Sequence, residues 1–303
     1  MNRIAILSDI HANLFALRAV HEDLERLQPD EILVGGDLVG RGPQGDDVVK
    51  YVTKHGWPSV RGNHEDYLLN FHHRRVPASW WQDPVWSASR WMVSELSATS
   101  LAIIESLAME LRPERDGGIL LVHGTPRSNQ EGFGSWTAPE VLDEIAEMMR
   151  PGEMLVGAHT HRPIELERGG IRLVNTGSVG LPFNGDWRAQ YVIITTHGDG
   201  TRSVEFRQVE YDREAFLRHY KTSGFYDKGG ITSAMLYQEI LHARPFLVPY
   251  LRWCEAMNKN LCLATTEEFL ELYDCNMTMA ELVEQFRNLG VTRLSGKEEM
   301  EDP

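Results

Sequence analysis

Five short clusters of metal-capable side chains each follow a short apolar run between residues 3 and 161 of this chain. The runs are rich in β-branched residues, which is typical of buried strands. Because α/β sheets place their ligand sites at the carboxyl ends of strands, we expect the five clusters to meet at one edge of the fold. The clusters are Asp9-x-His11, Gly36-Asp37, Gly62-Asn63-His64-Glu65, His123-Gly124 and His159-x-His161.

The spacing of apolar residues predicts a layered α/β fold. A helical period between residues 14 and 27 follows the first strand, and a second helix is predicted at residues 46–55. We therefore predict a two-sheet β-sandwich flanked by helices. The strands predicted before residue 160 are residues 3–8, 31–34, 58–60, 119–122 and 154–156. The strands predicted to form a second sheet packed on the first are residues 171–175, 190–196 and 203–209.

A helical insertion is predicted within this α/β domain, at about residues 71–111. The segment has few turn signals and carries Trp80, Trp81, Trp86 and Trp91. These rings either pack a small helical core or stack on a nucleobase of the substrate, and packing is the favoured interpretation.

The end of the chain is predicted to be a helical appendage. From residue 212 the strand alternation stops, and patterns of the capping-box form occur at residues 265–268 and 278–281. We predict an α/β domain at residues 1–211 and the appendage at residues 212–303. A dimer interface, a cover for the site and a cap on an exposed sheet all remain open as its role.

Charge and hydropathy limit the partners of the chain. The formal net charge of −14 argues against binding along an extended nucleic acid. No apolar run is long enough to cross a bilayer, and the apolar stretch at residues 4–7 is too short for a signal peptide, so we expect a cytoplasmic protein. Cys254, Cys262 and Cys275 form no C-x-x-C pair, so we expect buried thiols and no disulfide framework.

The residue types in the clusters indicate which ions they suit. A mixture of imidazoles and carboxylates favours Mn, Fe, Zn or Co, whereas Ca and Mg prefer oxygen ligands. Each cluster taken alone is equally consistent with a strand-end turn that has a polar cap. Five clusters in one order favour a metal site.

The order of the clusters resembles the calcineurin-like metallophosphoesterase superfamily, whose motifs are D-x-H, G-D, G-N-H, H and G-H-x-H. The segments G-A-H-T-H-R-P at residues 157–163 and N-T-G-S-V-G at residues 175–180 resemble its small bacterial and archaeal phosphodiesterase branch. The resemblance covers about residues 1–212, apart from the inserted helices. One departure is Ala158, which stands where the last motif usually has Gly.

This resemblance implies a site with two metal ions that share Asp37. Two ions about 3.5–4 Å apart would activate a bridging hydroxide for in-line attack on a phosphate ester. The implied ligands are Asp9, His11, Asp37 and His161 for the first ion, and Asp37, Asn63, His123 and His159 for the second.

The resemblance also implies catalytic roles for His64 and Arg41. His64 would lie beside the leaving group, as a general acid or as a donor that stabilises charge. Arg41 would bind a phosphate oxygen, although a solvated loop arginine is an alternative. In the protein serine/threonine phosphatases of the superfamily an Asp orients this histidine. Here Gly40 occupies that position, which argues against a protein-phosphatase mechanism.

Together these features predict an enzyme, a metal-dependent phosphoric ester hydrolase. The expected substrate is small and phosphorylated, either a phosphodiester or a nucleotide such as a dinucleoside polyphosphate. One alternative is a phosphomonoesterase or protein serine/threonine phosphatase, and another is a metal-binding scaffold without catalysis. A homo-oligomer formed through the C-terminal helices is a further expectation.

Overall fold

In a computed structural model that describes residues 1–276, two β-sheets pack face to face and helices cover their outer surfaces. The predicted α/β sandwich is therefore confirmed. The strands of the described residues are β1 (Asn2–Leu7), β2 (Glu31–Val34), β3 (Glu110–Leu111), β4 (Ile119–Val122), β5 (Met154–Gly157), β6 (Ile164–Arg168), β7 (Ile171–Asn175), β8 (Ala189–Thr196) and β9 (Arg202–Val209).

The helices surround these strands and occupy most of residues 210–276. Two short 3-10 turns, Ala78–Trp81 and Pro84–Trp86, lie within the predicted insertion. The helices of the described residues are α1 (Leu14–Leu27), α2 (Gly45–Lys54), α3 (Asn63–His72), α4 (Ser87–Glu95), α5 (Ala98–Ser106), α6 (Pro139–Glu147), α7 (Arg213–Thr222), α8 (Phe225–Lys228), α9 (Gly230–His242), α10 (Leu247–Ala256) and α11 (Leu263–Leu272).

The first sheet combines the first two strands of the chain with the last two, and the second sheet contains the five strands between them. The first sheet has the order β2-β1-β8-β9 and the second β3-β4-β5-β7-β6. The prediction that residues 171–175, 190–196 and 203–209 share one sheet is therefore wrong. β7 lies beside β5, whereas β8 pairs antiparallel with β1. Periodicity shows which face of a strand is buried, but it carries no information about the neighbouring strand.

Two further predicted elements differ from the structure. Residues 58–60 form only isolated bridges, from Ser59 to Val34 and from Val60 to Ala108, and not a strand of their own. Helix α11 begins at Leu263, before the predicted start at residue 265. The helix start predicted at residues 278–281 lies outside the described residues. β3, β6 and α6 were not predicted. β3 has only two residues and β6 is partly exposed, so both lack the buried apolar run that marks a strand.

Alternation along each strand divides the interior into layers. In β1, Ile4 and Ile6 face the space between the two sheets, while Ala5 and Leu7 face the helices. Burying both faces of a strand in this way gives the near-continuous apolar runs seen in the sequence. As a result, β1 and β2 are fixed on both faces and their carboxyl ends are held rigidly.

The insertion and the C-terminal helices share one hydrophobic core with the first sheet. Thr232 of α9 donates a hydrogen bond of 2.6 Å to the carbonyl of Val85, and Trp91 of α4 packs on Phe225 of α8 at 4.9 Å. Trp80 and Trp86 stack on each other at 3.8 Å. Packing is thus the observed role of these two rings.

The three cysteines differ in burial. Cys254 is buried but Cys262 is exposed, so the expectation of buried thiols is wrong for Cys262. α11 starts immediately after Cys262, which leaves this side chain at the surface.

Within residues 1–276, no helix has both the length and the apolar character needed to span a bilayer.

Candidate metal centre

The five clusters meet where strands of both sheets end. Asp9 and His11 follow β1, Asp37 follows β2, and His123 follows β4. Histidines 159 and 161 follow β5, and Asn63 and His64 open α3. Many of these turns have left-handed backbone, which is strained for residues other than glycine and concentrates at functional sites. The candidate site residues with positive φ are Asp9, His11, Asp37, Arg41, His159 and His161.

A first group of ligand atoms is formed by Asp9, His11, Asp37 and His161. All four residues are buried, and one ligand atom from each lies within 4.8 Å of the others. Nε2 of His161 lies 3.4 Å from Oδ1 of Asp9, and Nε2 of His11 lies 3.6 Å from Oδ2 of Asp37. This group matches the set that the resemblance implies for the first ion.

A second group of ligand atoms also includes Asp37. Oδ1 of Asn63 lies 2.9 Å from Nε2 of His123 and 3.1 Å from Nδ1 of His159. Oδ2 of Asp37 lies 3.3 Å from Nε2 of His123. The same Asp37 oxygen therefore faces one imidazole of each group, and all seven implied ligands come together at one place.

Each carboxylate keeps one oxygen in hydrogen bonds and presents the other to the imidazoles. Oδ2 of Asp9 accepts from Ser8 at 2.7 Å and from the backbone N–H of His159 at 3.2 Å. Oδ1 of Asp37 accepts from the backbone N–H of His64 at 2.9 Å. Oδ1 of Asp9 has no hydrogen-bond partner anywhere in residues 1–276, although it is fully buried. An unpaired buried carboxylate oxygen is costly, so this atom fits the role of a cation ligand.

Backbone carbonyls fix the proton position on two imidazoles. Nδ1 of His123 donates to the carbonyl of Gly35 at 2.8 Å, and Nδ1 of His161 donates to the carbonyl of Leu181 at 2.5 Å. A carbonyl can only accept, so Nδ1 carries a proton in both rings, and Nε2 faces the cluster. Metal-binding histidines are typically oriented by such a bond from their other nitrogen.

Burial and the neighbouring charges shift the pKa values of Asp9 and His123 in this cluster. Burial raises the pKa of Asp9 to about 7, and the nearby Asp37 charge adds to this shift. Burial also favours the neutral form of His123, but the Asp37 and Asp9 charges outweigh it and raise that pKa to about 10. Metal binding would have to release this proton, so occupancy of the site should depend on pH. The buried Asp9 oxygen and the oriented imidazoles together fit a metal ion.

His64 and Arg41 form a pair at the edge of the first group. The His64 ring packs edge-on against His11, with centroids 4.9 Å apart. Nε of Arg41 donates to Nε2 of His64 at 3.1 Å. Arg41 is 4% exposed, so the alternative of a solvated loop arginine is wrong. Gly40 packs directly on this ring, and a Cβ at that position would lie 2.4 Å from Nδ1 of His64.

Glu65 connects two of the turns that carry the site, a role that was not assigned from the sequence. Its carboxylate accepts hydrogen bonds from the backbone N–H groups of Asp37, Leu38, Val39 and Gly62, at 2.7–3.2 Å. The contact with Gly62 was predictable, because Glu65 is the third residue of α3, and a glutamate at that position can accept from the backbone N–H of the cap residue. No local pattern indicated its hydrogen bonds to residues 37–39.

Comparison with known proteins gives one family and several similar chains. A family model described as calcineurin-like phosphoesterase matches residues 2–163. The chain is 28% identical to a metallophosphoesterase of known structure from Sphaerobacter thermophilus, with a TM-score of 0.63 and coverage of 80% of this chain and 99% of the other.

Two archaeal proteins are also similar. A hypothetical protein from Pyrococcus horikoshii shares the fold at 19% identity, with a TM-score of 0.65 and coverage of 81% and 100%. An uncharacterized protein from Methanocaldococcus jannaschii is 26% identical over 225 residues, which cover 69% of this chain and 88% of the relative.

Proposed function

Because this chain belongs to the calcineurin-like phosphoesterase family and is a metal-dependent phosphoric ester hydrolase, we propose that it uses two metal ions to cleave phosphodiesters or small nucleotides. The observation that carries the proposal is the position of Asp37. Its Oδ2 atom lies 3.6 Å from Nε2 of His11 and 3.3 Å from Nε2 of His123. A carboxylate oxygen this close to an imidazole nitrogen of each group is placed to be shared by two ions.

The donor set supports the metals that the proposal names. The first group offers two carboxylates and two imidazoles, and the second offers one carboxylate, one amide oxygen and two imidazoles. Such mixed sets suit Mn, Fe, Zn or Co. Bound ions of this kind would polarise phosphate oxygens and lower the pKa of the attacking water.

Arg41 and His64 supply the remaining polar groups next to the phosphate. Arg41 carries a permanent positive charge at the edge of the cluster, where it would bind a phosphate oxygen. Burial holds the pKa of His64 well below its usual range, and the Arg41 charge acts in the same direction. A neutral His64 favours the role of a hydrogen-bond donor or acceptor that orients the leaving group over that of an imidazolium acid.

The substrate class rests on the resemblance and on the residue at position 40. Gly40 has a φ of 83° and lies against the His64 ring, which leaves no room for the carboxylate that orients this histidine in protein phosphatases. This supports a diester or small nucleotide over a phosphoprotein substrate.

The test is turnover by metal-free protein that has been reloaded separately with Mn, Fe, Zn or Co. Three substrates are compared: bis-p-nitrophenyl phosphate, p-nitrophenyl phosphate and a dinucleoside tetraphosphate. We expect two ions per chain by elemental analysis, and the highest kcat/KM for the diester or the dinucleotide. Preference for the monoester would favour a phosphomonoesterase, and two bound ions without turnover of any substrate would favour a scaffold.

A further inference from the structure

A carboxylate from the C-terminal helices reaches the candidate metal centre. Glu239 lies on α9, 198 positions after Arg41, and its Oε2 atom accepts a hydrogen bond of 3.0 Å from Nη1 of Arg41. The two side chains are 1% and 3% exposed. Breaking a buried ion pair leaves an uncompensated charge, so neither partner is easily displaced from this position.

The second oxygen of Glu239 fixes the carboxylate itself. Oε1 accepts hydrogen bonds from the backbone N–H groups of Phe246 and Leu247, at 2.9 and 3.0 Å. These groups lie at the start of α10, where N–H groups have no partner within the helix and favour a negative charge. With both oxygens bound, the plane of the Glu239 carboxylate is determined.

Arg41 carries this constraint to His64. The guanidinium is rigid and planar, so a partner held at Nη1 restricts the direction in which Nε points. Nε donates to Nε2 of His64 at 3.1 Å, which places the proton of a neutral His64 on Nδ1. Position 40 cannot orient the ring from the other side, because Gly40 packs on Nδ1 itself.

We propose that Glu239 is a positioning residue of the hydrolase site, which acts through Arg41 to hold the His64 ring beside the metal-binding cluster. The inference rests on the proposed function, since that function places Arg41 and His64 next to the phosphate. It gives the C-terminal helices a direct part in the geometry of the active site, in addition to their packing against the insertion.

The kinetic test compares Glu239→Gln with the wild type in the full-length, Mn-loaded protein. The amide oxygen still accepts from the α10 N–H groups, but its NH2 group faces the Arg41 donors and cannot accept from them. We expect kcat for bis-p-nitrophenyl phosphate to fall by about 10-fold or more, because small misplacements of reacting groups are costly. KM and the metal content should change less than about 2-fold, as expected for an effect on geometry. Glu255→Gln is the matched control, since Glu255 is exposed on α10.

A double-mutant cycle with Arg41→Met separates positioning from general destabilisation. If Glu239 acts through Arg41, adding Glu239→Gln to Arg41→Met should change kcat by less than about 2-fold. An equal loss of kcat in both backgrounds would overturn the proposal. The folded fraction of each variant, measured by circular dichroism at the assay temperature, corrects the rates for unfolding.

A second readout does not depend on turnover. In metal-free protein labelled with 15N-histidine, the His64 ring signals are assigned by comparison with His64→Gln. The wild type should show the tautomer with its proton on Nδ1, and Glu239→Gln should shift or broaden those signals. Unchanged His64 signals in Glu239→Gln would refute positioning even in an active enzyme. If the wild type lacks all turnover, the proposed function fails, while this measurement still decides the role of Glu239.

Discussion

The Nε2 atoms of His11 and His161 lie 3.0 Å apart, although 150 positions separate the two residues in the sequence. Burial lowers the pKa of His11 to about 3 and holds that of His161 well below its usual range. Both rings are therefore neutral at pH 7, with a nitrogen of each facing the same point. Neutral imidazoles whose nitrogens converge on two carboxylates form a site suited to a cation.

Asp37→Asn should remove the ligand that the two groups share. The amide has no charge to hold a bridging position, so we expect at most one ion per chain by elemental analysis after gel filtration. The kcat/KM for bis-p-nitrophenyl phosphate should fall by about 100-fold or more, since even residues that only orient ligands are worth about 10- to 100-fold. Asp47→Asn, at an exposed position in the first turn of α2, is the control and should keep both properties. Two tightly bound ions in Asp37→Asn would rule out the shared ligand.

Gly40→Ala should displace the His64 ring. The alanine would need a left-handed backbone and would place its Cβ 2.4 Å from Nδ1 of His64. Gly56→Ala is a close control, because Gly56 also has a positive φ but its Cβ would meet no atom within 4 Å. We expect each variant to lose at least about 1 kcal/mol of unfolding free energy from the backbone alone. Only Gly40→Ala should lower kcat, by about 100-fold. Equal activity of the two variants would contradict this account.

Tyr191→Phe should destabilise the contact between α1 and the first sheet. The buried Tyr191 hydroxyl donates to Oδ2 of Asp23 at 2.6 Å, and Arg207 binds the same carboxylate. Deleting the hydroxyl leaves that carboxylate with one donor fewer, so the unfolding free energy should fall by about 1–3 kcal/mol. Urea denaturation measures the change. Tyr226→Phe is the control, since its hydroxyl forms no hydrogen bond with other residues of the described chain, and it should change stability by less than about 0.5 kcal/mol.

Asp116→Asn should lower stability in a pH-dependent way. Hydrogen bonds from Arg202, at 2.6 and 2.7 Å, help to lower the pKa of Asp116 from 3.8 to about 2. Because the folded-state pKa is the lower one, the stabilisation is fully present above about pH 4 and is lost as the pH falls toward 2. We expect a loss of about 1–2 kcal/mol at pH 7, after allowance for solvent screening of the pair.

Urea denaturation at pH 7, 5 and 3 measures this difference between wild type and Asp116→Asn. The difference should be equal at pH 7 and 5 and smaller at pH 3. Glu114→Gln, two residues away at an exposed position, should show little difference at any pH. A difference that grows as the pH falls would contradict the assigned sign.

Much of the fold, and the meeting of the five clusters at one edge, were predictable because both depend on local patterns. The alternation in β1 marks Ile4 and Ile6 as one face, and the strand end places Asp9 and His11 at the sheet edge. Every cluster follows a strand or opens a helix. The residue types and the positions of the strand ends were therefore enough to predict that the clusters meet at one edge of the fold. The partition of strands between the two sheets was not predictable, as the position of β7 illustrates.

The sequence by itself determined which side chains can hold metal ions and which faces of the strands are buried, because residue type and periodicity are properties of neighbouring positions. Only the tertiary structure decided what surrounds those side chains. Glu239 meets Arg41 across 198 positions, and its carboxylate becomes a specific partner only when α9 and the turn after β2 exclude water around both. The reason is that a contact between distant positions depends on the packing of whole elements, which no local pattern encodes.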